Sequence, residues 1–349
     1  MFITALAYLV LEGWAQWRFS RNSSYMPMGI RSNIAMNSLE AFRLKPHYHG
    51  VSRSGLLYTT NEFGFRINPE GVKNQAQGKA ILLGGDSRIF GYALPYQDTI
   101  AALLEQNGYG LQQQAFPGSS PAMFNVQMFA EGVVDRLSVK PQILIYGYDR
   151  EDLWNDQIFR KELQEKKDGF SLRWLKIQLG GYFWGMCVQK VRSFSSRTKT
   201  WPTWLELDNS KKNKKEAVPT PSHETLLKPT ASTAGRHLPV SRAEILLMKA
   251  QSQSRGMKFV LLYLPRFLEL LCDDGSMRDN VKIFCEAEQL EWIDGYELLM
   301  HRAQGDKNVI ATLFLDPHEG IHYSKKANLW IVEEISRRCE KLGTQAGEP

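Results

Sequence analysis

The sequence predicts an α/β fold in which a parallel β-sheet is covered by helices on both faces. Three short apolar runs are typical of buried strands; they are Lys79–Gly84, Pro141–Tyr146 and Met257–Leu264. Segments with helical apolar spacing lie between these runs or beside them; they are Asp98–Gln106, Met123–Leu137 and Ser241–Gln253. Strands that alternate with helices indicate βαβ units, whose strands are parallel and buried on both sides. With 43% hydrophobic residues among 349, the chain can form a large core.

The chain opens with an apolar segment. Residues 1–17 contain one charge, Glu12, before Arg18 and Arg21. At about 1.5 Å per residue, a helix of this length is close to the thickness of the hydrocarbon core of a bilayer. We therefore predict that residues 1–21 associate with a membrane and that the domain is extracytoplasmic. A helix docked on the protein core is the alternative interpretation.

The remaining chain divides by composition. Residues 22–76 form a turn-rich lead-in, and residues 77–345 form the α/β domain, which ends in a helix from Lys325 to about Leu342. Residues 195–240 are rich in Pro, Ser, Thr and Lys and predict a flexible insertion. Half of the net charge of +6 comes from residues 195–216, which hold six basic and three acidic side chains. This solvated run has no nucleic-acid-binding motif, so we predict no nucleic-acid partner.

Cysteine spacing predicts neither a disulfide framework nor a zinc site. No CxxC pair occurs among the four cysteines, which are Cys187, Cys272, Cys285 and Cys339. We predict that the protein uses no cofactor and no metal ion.

A candidate nucleophile follows the first predicted strand. The strand leads directly into Gly85-Asp86-Ser87, and ligands of parallel sheets bind beyond the carboxyl ends of the strands. A serine at this point can present its hydroxyl to the crevice, and its backbone N–H can stabilise an oxyanion at the same place. The alternative is an ordinary strand-to-helix turn in which Ser87 caps the helix.

A candidate base lies just before the last predicted helix. A serine hydroxyl needs a neighbouring base to become a nucleophile, and His322 is placed to serve. Glu319 and Asp316 lie three and six residues upstream of His322, so either carboxylate could orient the imidazole.

These residues resemble the GDSL/SGNH hydrolase family. The resemblance rests on Gly85-Asp86-Ser87 with Gly91 and on the late His322, and membrane-anchored bacterial-type members carry a lead-in similar to residues 61–66. It implies a three-layer α/β/α sandwich with a flavodoxin-like parallel sheet. It also implies an esterase, lipase, carbohydrate acetylesterase or acetyl-transferring activity. Ser87 would be the nucleophile and His322 the base, and the N–H groups of Ser87 and Gly118 would bind the oxyanion.

Two positions depart from the family pattern. The family has an Asn after the next strand, whose amide donates to the oxyanion, whereas this chain continues as Asp149-Arg150-Glu151-Asp152 and reaches Asn155 only later. Loss of one such donor typically lowers the rate by about 10²–10³. Glu319 also stands where the family usually has Asp. We expect substrate contacts from four further side chains near these blocks, namely Asp86, Arg88, Glu151 and Asp152.

The sequence thus predicts a serine-dependent ester hydrolase or acyl transferase, acting on a small-molecule, carbohydrate or lipid ester. Two alternatives stay open. The missing Asn is compatible with an inactive scaffold that binds a glycan or a protein. His318-Glu319-x-x-His322 also matches the zinc-hydrolase signature H-E-x-x-H, although Pro317 and Gly320 disfavour the regular helix that this chemistry needs.

Overall fold

The computed structural model describes residues 46–51, 55–70, 79–167, 231–316 and 320–344, with backbone alone at positions 158, 161–167, 231–240 and 343–344. Residues 23–162 and 237–349 form one compact unit, and residues 1–22 and 163–236 are assigned to another. The predicted membrane segment, residues 1–21, lies outside the described residues. Within the described part of the chain, no helix is long and apolar enough to cross a membrane.

The centre of the larger unit is a five-stranded parallel sheet. Its strands are β4 (Ala80–Gly85), β5 (Gly110–Ala115), β6 (Ile143–Tyr148), β7 (Lys258–Tyr263) and β8 (Glu291–Asp294). Their order across the sheet is β5-β4-β6-β7-β8, and every neighbouring pair is parallel. All residues of β4 and β6 are buried, because helices cover both faces of a parallel sheet. The three strands predicted from apolar runs are confirmed: β4 and β6 are displaced by one and two residues, and β7 is one residue shorter at each end.

Helices flank the sheet. In chain order they are α1 (Ser87–Phe90), α2 (Ile100–Gln106), α3 (Pro121–Phe124), α4 (Val133–Arg136), α5 (Arg150–Lys167), α6 (Ala231–Gln253), α7 (Phe267–Leu271), α8 (Ser276–Ala287), α9 (Gly295–Ala303), α10 (Lys307–Ala311) and α11 (Lys325–Thr344). A 3₁₀ turn covers Tyr96–Asp98, and a π-helical segment covers Asn125–Ala130.

Contacts between the helices group them into two layers. Helix α11 packs against α2 and α9. In the other group, Ser241 of α6 donates to Asp156 of α5 at 2.8 Å, and Lys249 of α6 donates to the carbonyl of Glu288 just after α8 at 2.8 Å. Right-handed crossovers place the β4–β5 connection and the later connections on opposite faces of a sheet with this strand order. The predicted three-layer α/β/α fold is therefore confirmed.

Three predicted helical regions have different bounds in the structure. Helix α2 starts after an N-cap at Thr99 rather than at Asp98, whose carboxylate instead pairs with Lys325 at 2.9 Å. The continuous helix predicted over residues 123–137 is interrupted by the π-helical segment and by Gly132, which has a positive φ of 65°. Helix α6 begins at Ala231, so the last ten residues of the insertion predicted over 195–240 are helical. Residues 195–230 lie outside the described residues.

Two parts of the fold escaped prediction. Strand β5 reads Gly-Leu-Gln-Gln-Gln-Ala, which lacks an apolar run. It is nevertheless partly buried because its amides find partners: Gln113 donates to the carbonyl of Ile89 and Gln114 to the side chain of Gln127, each at 2.6 Å. The lead-in contains a small antiparallel sheet of β1 (His49–Val51), β2 (Leu57–Thr60) and β3 (Arg66–Ile67).

Candidate active site

The serine lies at the point where the connections of the sheet reverse direction. The chain passes from β4 to β5 on one side, and then crosses back to β6 on the other side of β4. In open parallel sheets, ligands bind at the carboxyl ends of the two strands that flank such a reversal. Ser87 follows β4 and Asp149 follows β6, so both predicted blocks meet at this crevice.

Local backbone geometry sets the direction of the serine. Gly85 has a φ of +147°, and a Cβ there would lie 2.6 Å from Cγ1 of Ile89, so a side chain would collide with α1. Asp86, not Ser87, caps α1, because its Oδ1 accepts from the N–H of Arg88 at 2.9 Å. Ser87 is thereby the first helical residue, and its N–H has no acceptor within the helix.

The structure brings His322 to Ser87 across 235 positions of sequence. Nε2 of His322 lies 3.2 Å from Oγ of Ser87, which is hydrogen-bond distance. The histidine loop is fixed on either side: Leu315 N–H donates to the carbonyl of His322 at 2.9 Å, and Tyr323 forms an isolated bridge with Phe314. The hydroxyl of Tyr323 donates to the carbonyl of Pro265 at 2.6 Å, which attaches the loop to the segment after β7.

Of the two carboxylates predicted to orient the imidazole, only Asp316 belongs to the part of the chain that the structure describes. Glu319, like His318, lies outside the described residues. Asp316 is exposed, and its carbonyl accepts from the N–H of Gly320 at 2.8 Å, which closes a turn of the histidine loop. The assignment of an orienting acid therefore stays a prediction.

Gly118 lies beside the serine turn. The N–H of Phe116 donates to the carbonyl of Gly85 at 3.4 Å, which continues the β4–β5 pairing past the strand ends. Gly118 follows with a φ of +80°, is exposed, and would have no atom within 4 Å of an added Cβ. A glycine is thus required by conformation, and its exposed main chain is available to a substrate.

In the segment after β6, where no Asn stands, Asp149 acts as a helix cap. Its Oδ1 accepts from the N–H groups of Glu151 and Asp152, at 2.7 and 3.2 Å. In return, Oδ2 of Asp152 accepts from the N–H of Asp149 at 2.9 Å, so the two side chains form a capping box at the start of α5. Asn155, one turn further along α5, donates its amide to the carbonyl of Ser119 at 3.4 Å and so lies next to Gly118.

A buried group of charges lies behind the serine. Arg88 forms an ion pair with Asp149, lies 3.5 Å from Asp86, and donates to the carbonyl of Leu264 at 2.8 Å. Burial alone would lower the pKa of Arg88, but the charge of Asp86 and other acidic groups raises it overall. Burial raises the pKa of Asp152 well above its usual range. The neutral acid is therefore favoured there.

Of the four side chains expected to touch substrate, three are buried. Asp86, Arg88 and Asp152 are at most 2% exposed, so these side chains support the serine turn from behind. Glu151 is partly exposed and pairs with Arg266 at 2.7 Å. Carboxylate oxygens of Asp86, Asp149 and Glu151 lie within 4.8 Å of one another. Arg88 pairs with Asp149 and lies 3.5 Å from Asp86, and Arg266 pairs with Glu151, so each of the three carboxylates has a cationic neighbour.

Two further residues at the site were not predicted. The ring of Tyr92 lies against the imidazole of His322, with 4.7 Å between ring centroids. Arg266 lies after β7, within 3.5 Å of Asp149, and its neighbour Phe267 donates to the carbonyl of Gly320 in the histidine loop at 3.0 Å. In the sequence, Tyr92 lies close to the GDS block and Arg266 follows a strand end. Their contacts with the site are tertiary, so these positions alone did not identify them.

The chain thus has an α/β/α fold in which Ser87 and His322 form a candidate catalytic pair at the carboxyl end of the central strands. No family model and no curated protein matches the chain. Solved structures that it resembles include proteins described as G-D-S-L-family or GDSL-like lipases and others described as esterases.

Three of these structures illustrate the likeness. A protein assigned to the lipolytic G-D-S-L family of Desulfitobacterium hafniense is 14% identical, with a TM-score of 0.40, over 74% of this chain and 99% of that one. The psychrotrophic esterase EstA of Pseudoalteromonas sp. is 11% identical, with a TM-score of 0.39, over 76% and 100%. A variant acetyl-xylooligosaccharide esterase of Geobacillus Stearmophilus is 12% identical, with a TM-score of 0.41, over 76% and 95%. At this level of identity the likeness is one of fold.

Proposed function

We propose that the protein is a serine-dependent ester hydrolase of the SGNH type. The observation that carries the proposal is the distance of 3.2 Å between Oγ of Ser87 and Nε2 of His322, at the crevice where the sheet connections reverse. A hydroxyl beside an imidazole at a strand end is the arrangement needed for nucleophilic catalysis.

The reaction proceeds in two halves. Nε2 of His322 accepts the proton of the Ser87 hydroxyl while Oγ attacks the ester carbonyl carbon. The negative charge that develops on the carbonyl oxygen is bound by the N–H groups of Ser87 and Gly118. The imidazolium then protonates the leaving alkoxide, and an acyl group stays on Oγ. Water then attacks the acyl carbon while His322 takes its proton, and the imidazolium returns a proton to Oγ as the bond to the acyl group breaks, which releases the acid and restores Ser87.

The acceptor in the second half distinguishes a hydrolase from an acyl transferase. A sugar hydroxyl in place of water would transfer the acyl group to a carbohydrate, with the same movement of protons. Acetylated sugars and lipid esters are the substrate classes that the resemblance implies. Membrane attachment through residues 1–21 stays a prediction.

The proposal is tested with the full chain and p-nitrophenyl acetate, butyrate and octanoate. We expect hydrolysis by the wild type, and a fall in kcat of about 10³-fold or more in Ser87→Ala and His322→Ala, because loss of a nucleophile or base removes most of the catalysis. Ser254→Ala is the control, since Ser254 is exposed and its hydroxyl donates to the carbonyl of Gln251 at 3.0 Å. Equal activity in Ser87→Ala and Ser254→Ala would overturn the proposal.

A second candidate function is a scaffold that binds a glycan or a protein, favoured by the segment after β6, where no Asn stands and Asp149 acts as a helix cap. A wild type that binds acetylated oligosaccharides without hydrolysing any ester would support it. The zinc alternative is separated by exhaustive chelation: the serine mechanism predicts unchanged ester hydrolysis, whereas a zinc hydrolase would lose activity that added zinc restores.

A further inference from the structure

The lead-in motif of residues 61–66 has a defined conformation. Oδ1 of Asn61 accepts from the N–H groups of Phe63 and Phe65, at 3.0 and 2.9 Å. Gly64 turns the chain with a φ of +79°. These contacts place Arg66, the first residue of β3, so that its side chain packs against the α/β domain.

Arg66 is buried and holds the segment that follows the serine helix. Its side chain donates to three main-chain carbonyls: Nη1 to Phe90 at 2.8 Å and to Gly91 at 2.9 Å, and Nη2 to Leu94 at 2.8 Å. The guanidinium also lies 4.3 Å from the ring centroid of Tyr58. Among the residues that the structure describes, it forms no ion pair with a carboxylate. Burial lowers the pKa of Arg66 to about 10, so the group is still charged at neutral pH.

The segment held by Arg66 is strained. Gly91 has a φ of +71°, and Ala93 has a φ of +61°, a left-handed conformation that is unfavourable for alanine. Such conformations persist where the surroundings fix them, and they are common at active sites. Arg66 binds the carbonyls on either side of Ala93, those of Gly91 and Leu94, and so stabilises the strained turn directly.

Between these two carbonyls lies Tyr92, which contacts both members of the candidate pair. Its N–H donates to the carbonyl of Ser87 at 2.9 Å. Its ring lies 4.7 Å from the imidazole of His322, with an angle of 35° between the ring planes. A continuous set of contacts therefore runs from Arg66 through the strained turn to Ser87 and His322.

We propose that Arg66 and Tyr92 are positioning residues for the reaction, an inference that rests on the proposed function. Arg66 fixes the turn, and Tyr92 holds the imidazole plane so that Nε2 faces the serine hydroxyl. The tyrosine ring also stabilises the imidazolium that forms during the reaction, because a cation is attracted to an aromatic face. This role explains why a charged side chain is buried among carbonyls and rings, where an apolar residue would avoid the cost of desolvation.

Tyr92→Phe and Tyr92→Ala separate the contribution of the ring from that of the hydroxyl, because phenylalanine keeps the ring and alanine loses both. We expect Tyr92→Phe to keep kcat within about threefold, and Tyr92→Ala to lose about 10- to 100-fold in kcat with KM little changed, because a misplaced base slows the reaction step. The pH titration of the His322 ring signals, followed by NMR, should change in Tyr92→Ala and stay as in the wild type in Tyr92→Phe, because only the alanine variant removes the ring from the imidazole. Tyr109→Ala is the control, since Tyr109 lies away from the site with its hydroxyl 3.3 Å from the carbonyl of Ser336.

Arg66→Lys and Arg66→Met test whether Arg66 positions the turn, and circular dichroism confirms that the variants fold. Lysine retains the charge but lacks the fork that reaches three carbonyls, so both variants should lower kcat and perturb the Tyr92 and His322 ring signals. If either variant fails to fold, the Tyr92 pair decides. An unchanged kcat and an unchanged His322 titration in Tyr92→Ala would overturn the inference. Because the titration needs no turnover, it remains decisive even if the wild type hydrolyses no ester and the proposed function fails.

Discussion

Replacement of Asp149 by Asn places an amide in the segment after β6, where the GDSL/SGNH resemblance implies an oxyanion donor. If position alone determined the role, the substitution would raise kcat by the factor of about 10²–10³ that such a donor contributes. In this protein the side chain is 1% exposed, and its oxygens are used by the cap of α5 and by Arg88. We therefore expect no increase in kcat.

The substitution should instead destabilise the fold. Removal of one partner of a buried ion pair costs about 3–5 kcal/mol. Arg88 keeps Asp86 at 3.5 Å and the carbonyl of Leu264 at 2.8 Å, so the lower end of this range applies, about 3 kcal/mol. The amide oxygen can still cap α5, so the secondary structure should be retained.

Urea unfolding and ester kinetics on the same samples measure both effects. Glu151→Gln is the matched control: Glu151 pairs with Arg266 at the surface, and such a pair is worth at most about 1 kcal/mol. Wild-type stability in Asp149→Asn, or a kcat about 100-fold higher, would refute the reasoning, because either result would mean that the side chain faces the crevice rather than Arg88.

Three further predictions concern the same end of the sheet. Gly118→Ala should lower the free energy of unfolding by about 1 kcal/mol, because its φ is +80°, and should also lower kcat. Gly108, with a φ of +86°, precedes β5 at the opposite end of the strand, so Gly108→Ala should give a similar urea shift with unchanged kcat. Equal kcat in the two variants would contradict the role of Gly118. Because burial raises the pKa of Asp152, its contribution to stability is full below about pH 4 and is lost as pH rises through the folded value. Asp152→Asn should flatten this fall in urea titrations at several pH values, and an unchanged slope would contradict it. Asn155→Ala should lower kcat, because Asn155 lies next to Gly118, and should leave the free energy of unfolding nearly unchanged, because its 3.4 Å contact to Ser119 is weak. A lower free energy of unfolding with an unchanged kcat would exclude a role at the site.

Features encoded in short stretches of sequence were predictable. The apolar strand before Gly85-Asp86-Ser87 and the loop before α11 located both Ser87 and His322, although 235 positions separate them. The spacing of three between Asp149 and Asp152 is that of a capping box, but this cap was not predicted.

Other features depend on tertiary contacts that local patterns do not encode. Strand β5 is polar in sequence and joins the sheet because Gln113 and Gln114 find buried partners. Arginine side chains are usually exposed, whereas Arg66 is buried because it donates to three carbonyls that lie more than twenty positions away in the sequence. Tyr92 contacts His322 in a structure where the histidine loop packs on the segment after β7.

The central claim is that Ser87 is a nucleophile activated by His322, and labelling with a fluorophosphonate tests it most directly. Intact-mass and peptide analysis of the wild type should show an adduct on Ser87. The adduct should be absent in Ser87→Ala, form slowly in His322→Ala, and form at the wild-type rate in Ser254→Ala. A wild type that hydrolyses esters while Ser87 stays unlabelled, or an adduct that persists in Ser87→Ala, would contradict the account.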